Sequence, residues 1–144
     1  MTTLDELTAK SGLDVLDHLA GDAQIPILDG IQAQGDLLII PLTVVADEVV
    51  VRRGAAWTAV PSSGVEVLRG AAMGNPHSLV ADPGAARWTT DVDDAAGLAL
   101  GVVEVTGPAA WLLHREHGGM GLAAGCWVIR RQREQADELR LVAD

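Results

Sequence analysis

"WLLHREHGGMGLAAGCWVIRRQREQ", residues 111–135, is the stretch on which the fold of this chain turns. Apolar runs at 109–114 and 126–133 flank a segment that holds Gly118, Gly119, Gly121 and Gly125. Side-chain alternation along extended backbone, and the freedom of glycine to reverse it, predict an antiparallel β-hairpin with 115–125 as its loop. The same letters carry chemistry. His114 and His117 stand close together, Cys126 is the chain's single cysteine, and Arg130, Arg131 and Arg133 follow it.

Such a hairpin sets His114 beside Cys126 at the loop's base and lets His117 fold back toward them. Imidazole and thiolate are zinc ligands, so His77, His114, His117 and Cys126 form a candidate metal set that implies one divalent ion such as zinc. A structural reading competes with it and is preferred. A spacing of three on a strand sends His114 and His117 to opposite faces, and a hairpin histidine bonded to a backbone carbonyl or to Glu116 explains the same residues. Cys126 beside Trp127 reads first as a small core residue, with no activating dyad next to it. The preferred expectation is therefore no catalytic residue and no cofactor, with the metal as its alternative.

Trp127, Ile129, Arg131 and Arg133 share one face of the outgoing strand, and Val128, Arg130 and Gln132 the other. Arginines in apolar company predict carboxylate partners, with Glu104, Glu116 and Glu134 as intrachain candidates. Glu116, Arg130, Arg131 and Arg133 are accordingly expected at salt bridges or at an interface between subunits.

Outward from the hairpin, short apolar runs divided by Gly, Pro and Asp predict strands at 37–45, 48–53, 56–60, 64–69, 78–81, 87–90 and 98–106. With the hairpin these make nine, the pattern of a mainly β chain built as a small β-barrel or β-sandwich. Pro41 should bend the 37–45 strand or leave it at an edge. Ahead of the strands, residues 3–20 read as an amphipathic helical segment. Thr3 and Glu6 form a capping box, Leu4, Leu7, Leu13, Leu16 and Leu19 keep to one stripe, Ser11-Gly12 divides it and Gly21 ends it. The expected organisation is a helical arm over 1–30 and a β-domain over 31–144.

Hydrophobic residues make up 49% of the 144, yet Phe and Tyr are absent, so Val, Leu, Ile and Ala must fill the core around Trp57, Trp88, Trp111 and Trp127. A mean hydropathy of +0.23 is more than a small domain can readily hide within itself, which predicts a homo-oligomer. A net charge of −10 argues against nucleic acid as a partner. No apolar run is long enough for a membrane helix, the acid-bearing start "MTTLDELTAK" predicts no secretory leader, and a lone cysteine suits the reducing cytoplasm. Residues 1–36 carry seven acids against Lys10 alone, so the arm could also dock on a protein partner.

Three stretches, "QGDLLIIP" (34–41), "LRGAAMGNPHSLV" (68–80) and "LLHREHGGMGLAAGCWVIRRQREQADELRLVAD" (112–144), resemble a set of small proteins of bacteria and their phages in order and spacing. Many of those carry Gly-His-x-His where this chain has Gly74-Asn75-Pro76-His77. They share a His-x-Glu-His element, matched by His114, Glu116 and His117, and an Arg-Gln-Arg-Glu element, matched by Arg131, Gln132, Arg133 and Glu134. The resemblance implies a shared β-architecture and no particular activity. Its paired histidine elements are similar to those of cupins, without cupin spacing.

The first expectation for function is a non-catalytic, self-associating β-domain, a structural or binding component of the kind a phage-derived assembly uses. The second is a cupin-like metalloprotein using His77, His114 and His117, with Glu116 as orienter or acid/base. The third is a regulatory protein that docks its acidic N-terminal helix.

Overall fold

A computed structural model of the chain describes residues 2–13, 15, 21, 24–69 and 75–132. One short helix, α1 (Leu4–Ser11), precedes β1 (Ile27–Leu28), β2 (Gln32–Gln34) and β3 (Leu37–Pro41). After a 3-10 turn at Leu42–Val44 come β4 (Val49–Val51), β5 (Thr58–Ala59), β6 (Val65–Arg69) and β7 (Pro76–Val80). The last four strands are β8 (Ala86–Thr89), β9 (Val92–Asp94), β10 (Ala99–His114) and β11 (Gly118–Arg131). The fold is mainly β.

The antiparallel pair β10–β11 is the spine, and it corrects the expected hairpin. Its reversal occupies only residues 115–117, with His114 opposite Gly118, so most of the glycine-rich segment is strand. Gly118 supplies the positive φ of 78° that a tight reversal needs. Gly121 has another use: a Cβ there would sit 2.8 Å from the Trp111 ring and 2.9 Å from Ile27, so its bare backbone lets a large ring lie flat on the sheet. The predicted strands 98–106 and 109–114 are one element with a register shift between Val105 and Ala109, where Pro108 falls outside the ladder.

At that shift the spine changes neighbours. Val102–Val105 of β10 pair with β8, whereas Trp111–His114 pair with β7. Along β11, Gly121 and Leu122 pair in parallel with β1, and Trp127–Arg131 pair antiparallel with β3. The main path, β2-β3-β11-β10-β7-β6, does not close into a barrel. With the separate β4–β9 ribbon laid against it the arrangement is sandwich-like. β2 reaches only as far as Ile39, so among the described residues Pro41 has β11 on one side and an open edge on the other; the strand predicted over 37–45 ends at this proline and hands over to the 3-10 turn.

Three apolar clusters hold these layers. Leu37, Ile39, Leu79, Val103, Leu112, Leu122, Trp127 and Ile129 belong to the central one. Val102, Val128, Ile40, Val49 and Val92 join the ribbon to the sheet. Leu4 and Leu7 of α1 pack with Ile25, Val80, Trp111 and Leu113, so the helix spends its apolar side on its own sheet. Thr3 caps it by accepting the Glu6 N–H, and Gly12, in the left-handed region at φ 72°, ends it well short of residue 20. The expected continuation over 16–20 lies outside the described residues. Trp88, Trp111 and Trp127 are buried; Trp57 is half-exposed, with the Arg87 guanidinium 4.0 Å from its ring centre.

Candidate functional site

His114 and His77 are direct partners in the β7–β10 ladder, so the two histidine elements of the sequence meet at one end of the sheet. Their rings stand 4.3 Å apart, and the His117 ring stands 4.5 Å from that of His114. The outer two are nearly parallel, at 8°, with centres 6.4 Å apart. Three imidazoles thus form a stepped stack, buried at His77 and exposed at His117.

Local bonds explain why the rings sit so. His114 Nδ1 accepts the backbone N–H groups of Glu116 and His117, at 3.1 and 3.2 Å, and thereby closes the turn it begins. Two donors on one nitrogen fix that atom as an acceptor, which suits the neutral ring. Burial, first of all, and then the neighbouring imidazoles lower the His114 pKa. Glu116 reaches out to accept the Asn75 side-chain amide at 3.1 Å, tying the turn to the start of β7.

His77 is held by the tight turn between β2 and β3. Its Nδ1 faces Gln34 Oε1 at 3.0 Å and its Nε2 faces Asp36 Oδ1 at 2.9 Å. Gln34 in turn donates its amide to the Leu112 carbonyl at 3.0 Å, which fixes which end of that side chain looks at the histidine. Nδ1 is therefore a donor, and the Nε2–Asp36 contact closes fully only when a proton bridges it. Burial opposes a charge on His77 more strongly than Asp36 favours one, and its pKa is lowered. Gly35, at φ 57°, lies beneath the stack: a Cβ there would come within 2.8 Å of the His117 ring and 3.3 Å of His77. Beside His114 a hollow of about 220 Å³ opens between Leu13, Asn75, Ser78 and Leu113.

The structure thus gathers His77, His114, His117 and Glu116, and it adds Gln34 and Asp36, which the sequence reading passed over. It does not bring Cys126 to them. Cys126 pairs with Glu104 far along the spine, its thiol 3.7 Å from the Glu104 carboxylate, and burial together with that charge raises its pKa. The displacement follows from the short turn: with reversal at 115–117, register carries Cys126 away from His114. Among the described residues no three His, Cys, Asp or Glu side chains are arranged to hold a metal ion.

The arginines sort differently from expectation. Arg130 reaches neither Glu104 nor Glu116 but Asp94, through Nε at 3.1 Å and Nη2 at 2.9 Å, and Glu48 at 2.8 Å. Asp94 also accepts the backbone N–H groups of Ala96, Leu98 and Ala99 in the turn that leads into β10. Burial alone would raise its pKa, yet these bonds and the guanidinium outweigh burial and hold the carboxyl low. Glu104 pairs with Arg87 at 2.9 Å, and Arg131 buries an Nε with no partner among the described residues. Arg133 and Glu134 lie outside the described residues. Among the described residues no helix is long and apolar enough to cross a membrane.

A family model described as a domain of unknown function, DUF8820, matches residues 33–132, which include every member of the histidine cluster and Arg130. No curated protein and no solved structure matches the chain.

Proposed function

We propose, for a chain that belongs to the DUF8820 family, that it is a non-catalytic β-domain which associates with its own copies and serves as a structural or binding component in the cytoplasm. The observation that carries this reading is apolar side chains standing in water along unpaired strand edges. Leu28 is 46% exposed and Ile31 57% on the segment running from β1 into β2, and Val50 is 57% exposed on β4. Among the described residues β1 pairs with β11, β2 with β3 and β4 with β9, each on one side only, so all three are edge strands. Apolar surface combined with open edges is a template for a further strand. The histidine cluster fits a domain of this kind as a clamp, since its bonds are spent on closing one turn and anchoring another.

Light scattering on the purified chain tests it. A defined multimer is expected, and a Leu28→Lys/Ile31→Lys variant should shift toward monomer with its circular dichroism unchanged. A chain that stays monomeric at high concentration overturns the reading.

A second reading, a metalloprotein, is favoured by one observation, three stacked imidazoles with Asp36 and Glu116 around them. It requires His77 to give up a present hydrogen bond to an ion. Metal analysis of untagged protein separates the two: about one ion per chain supports the second, none the first. Docking through the N-terminal helix is the weaker alternative, because Leu4 and Leu7 are already buried against Trp111 and Leu113.

A further inference from the structure

On the face of the sheet that carries Val80 and Trp111, α1 and the 25–27 segment border a groove of about 460 Å³. Leu7, Ile25, Ile27, Val80 and Trp111 give it apolar walls. Its polar side chains are those of Thr2, Lys10, Ser62 and Asp82. Lys10 from the last turn of α1 and the Ser62 hydroxyl are donors there, with Asp82 3.6 Å from the lysine ammonium. A concave, largely apolar site of this size with a few polar groups at one place is how proteins take small amphipathic molecules.

We infer that this groove binds a straight-chain aliphatic carboxylate, its tail along Ile27, Val80 and Trp111 and its head on Lys10 and Ser62. The charge argument picks the head. Lys10 is the only lysine in a chain of net charge −10, and it lines the groove. Its present ion pair with Asp82 is long and both side chains are mostly exposed, 56% and 70%, so it holds the ammonium weakly. An incoming carboxylate, with the Ser62 hydroxyl beside it, can replace Asp82 and bond the ammonium at shorter range. The apolar walls explain the tail, and they also explain Ile27, which stays 47% exposed on a two-residue strand although Gly121 lies bare beneath it.

Calorimetric titration of the whole chain with decanoate, decanol and decylamine, each below its micelle concentration, tests the site. Saturable binding of one decanoate per chain is expected, with decanol at least about tenfold weaker because it lacks the charge-assisted bond and decylamine weaker because its ammonium meets that of Lys10. Lys10→Gln should weaken decanoate about tenfold and leave decanol unchanged. Ile27→Glu, on an exposed side chain, should abolish decanoate binding while the circular dichroism stays that of the parent. The inference is overturned if decanoate does not saturate, if decanol or decylamine binds as tightly, or if Lys10→Gln changes nothing. The Leu28→Lys/Ile31→Lys variant should still bind, so loss of association and loss of this site are read separately.

Discussion

His77 and His114 face each other across the β7–β10 ladder with rings 4.3 Å apart, and burial reduces the basicity of both. An unfolded histidine takes up its proton near pH 6.5, whereas these two resist it in the folded chain. Below that pH the unfolded state therefore binds more protons, and stability must fall as the pH falls toward the folded values. Urea midpoints measured from pH 7.5 down to 5 should decline. His114→Asn keeps an acceptor for the turn's N–H groups but cannot titrate, so its decline should be shallower. A midpoint independent of pH in the parent would contradict the burial of both rings.

Gln34 spends its amide on Leu112 and Gly118 carbonyls and its oxygen on His77. Gln34→Leu has similar bulk and no polar atoms, and it strands those groups at a cost of about 1–3 kcal/mol. Hydrogen exchange should show the loss first at residues 112–118 and in β2–β3. Uniform loss across the sheet would mean that Gln34 is not the tie between those segments.

Arg130 stands between Asp94, whose side chain is only 4% exposed, and Glu48. Arg130→Met leaves a buried carboxylate uncompensated and should cost about 3–5 kcal/mol. Adding Asp94→Asn should recover part of that cost, as seen in chemical denaturation. Equal stability of the single and double variants would show that the guanidinium is not the partner that matters.

Two glycines separate space from conformation. A Cβ on Gly101 would run into the Thr89 carbonyl oxygen and the Trp88 ring, whereas Gly54 at φ 78° has open space around it. Gly101→Ala should cost about 1–3 kcal/mol through overpacking. Gly54→Ala meets only the left-handed penalty of about 1 kcal/mol. Thermal unfolding should place Gly101→Ala lower.

The sequence made the β class legible because short continuous apolar runs such as 37–40 and 127–129 lie in strands covered on both faces, their residues divided between two apolar clusters. It also singled out His77, His114 and His117, since imidazoles are rare enough here to be noticed. Turn length was not legible: glycines in 118–125 look like a loop until Trp111 and Ile27 are known to lie on Gly121, a fact of packing across strands. That single misjudgement moved Cys126 to the wrong end of the hairpin. Gln34 and Asp36 escaped because a Gln-Gly-Asp turn has no chemical signature without its histidine. Asp94 escaped because its partner lies on another strand. β1, β2 and β9 are two or three residues long, too short for any period to show.

Strand β3 is synthesised well before the β11 residues that flank it, Trp127–Arg131. During translation "LLIIP" must therefore wait beside β2 alone, a bare aliphatic ribbon with one side unclaimed. Nascent chains halted before residue 127 should be sticky and dependent on chaperones, and release of the remaining residues should relieve both.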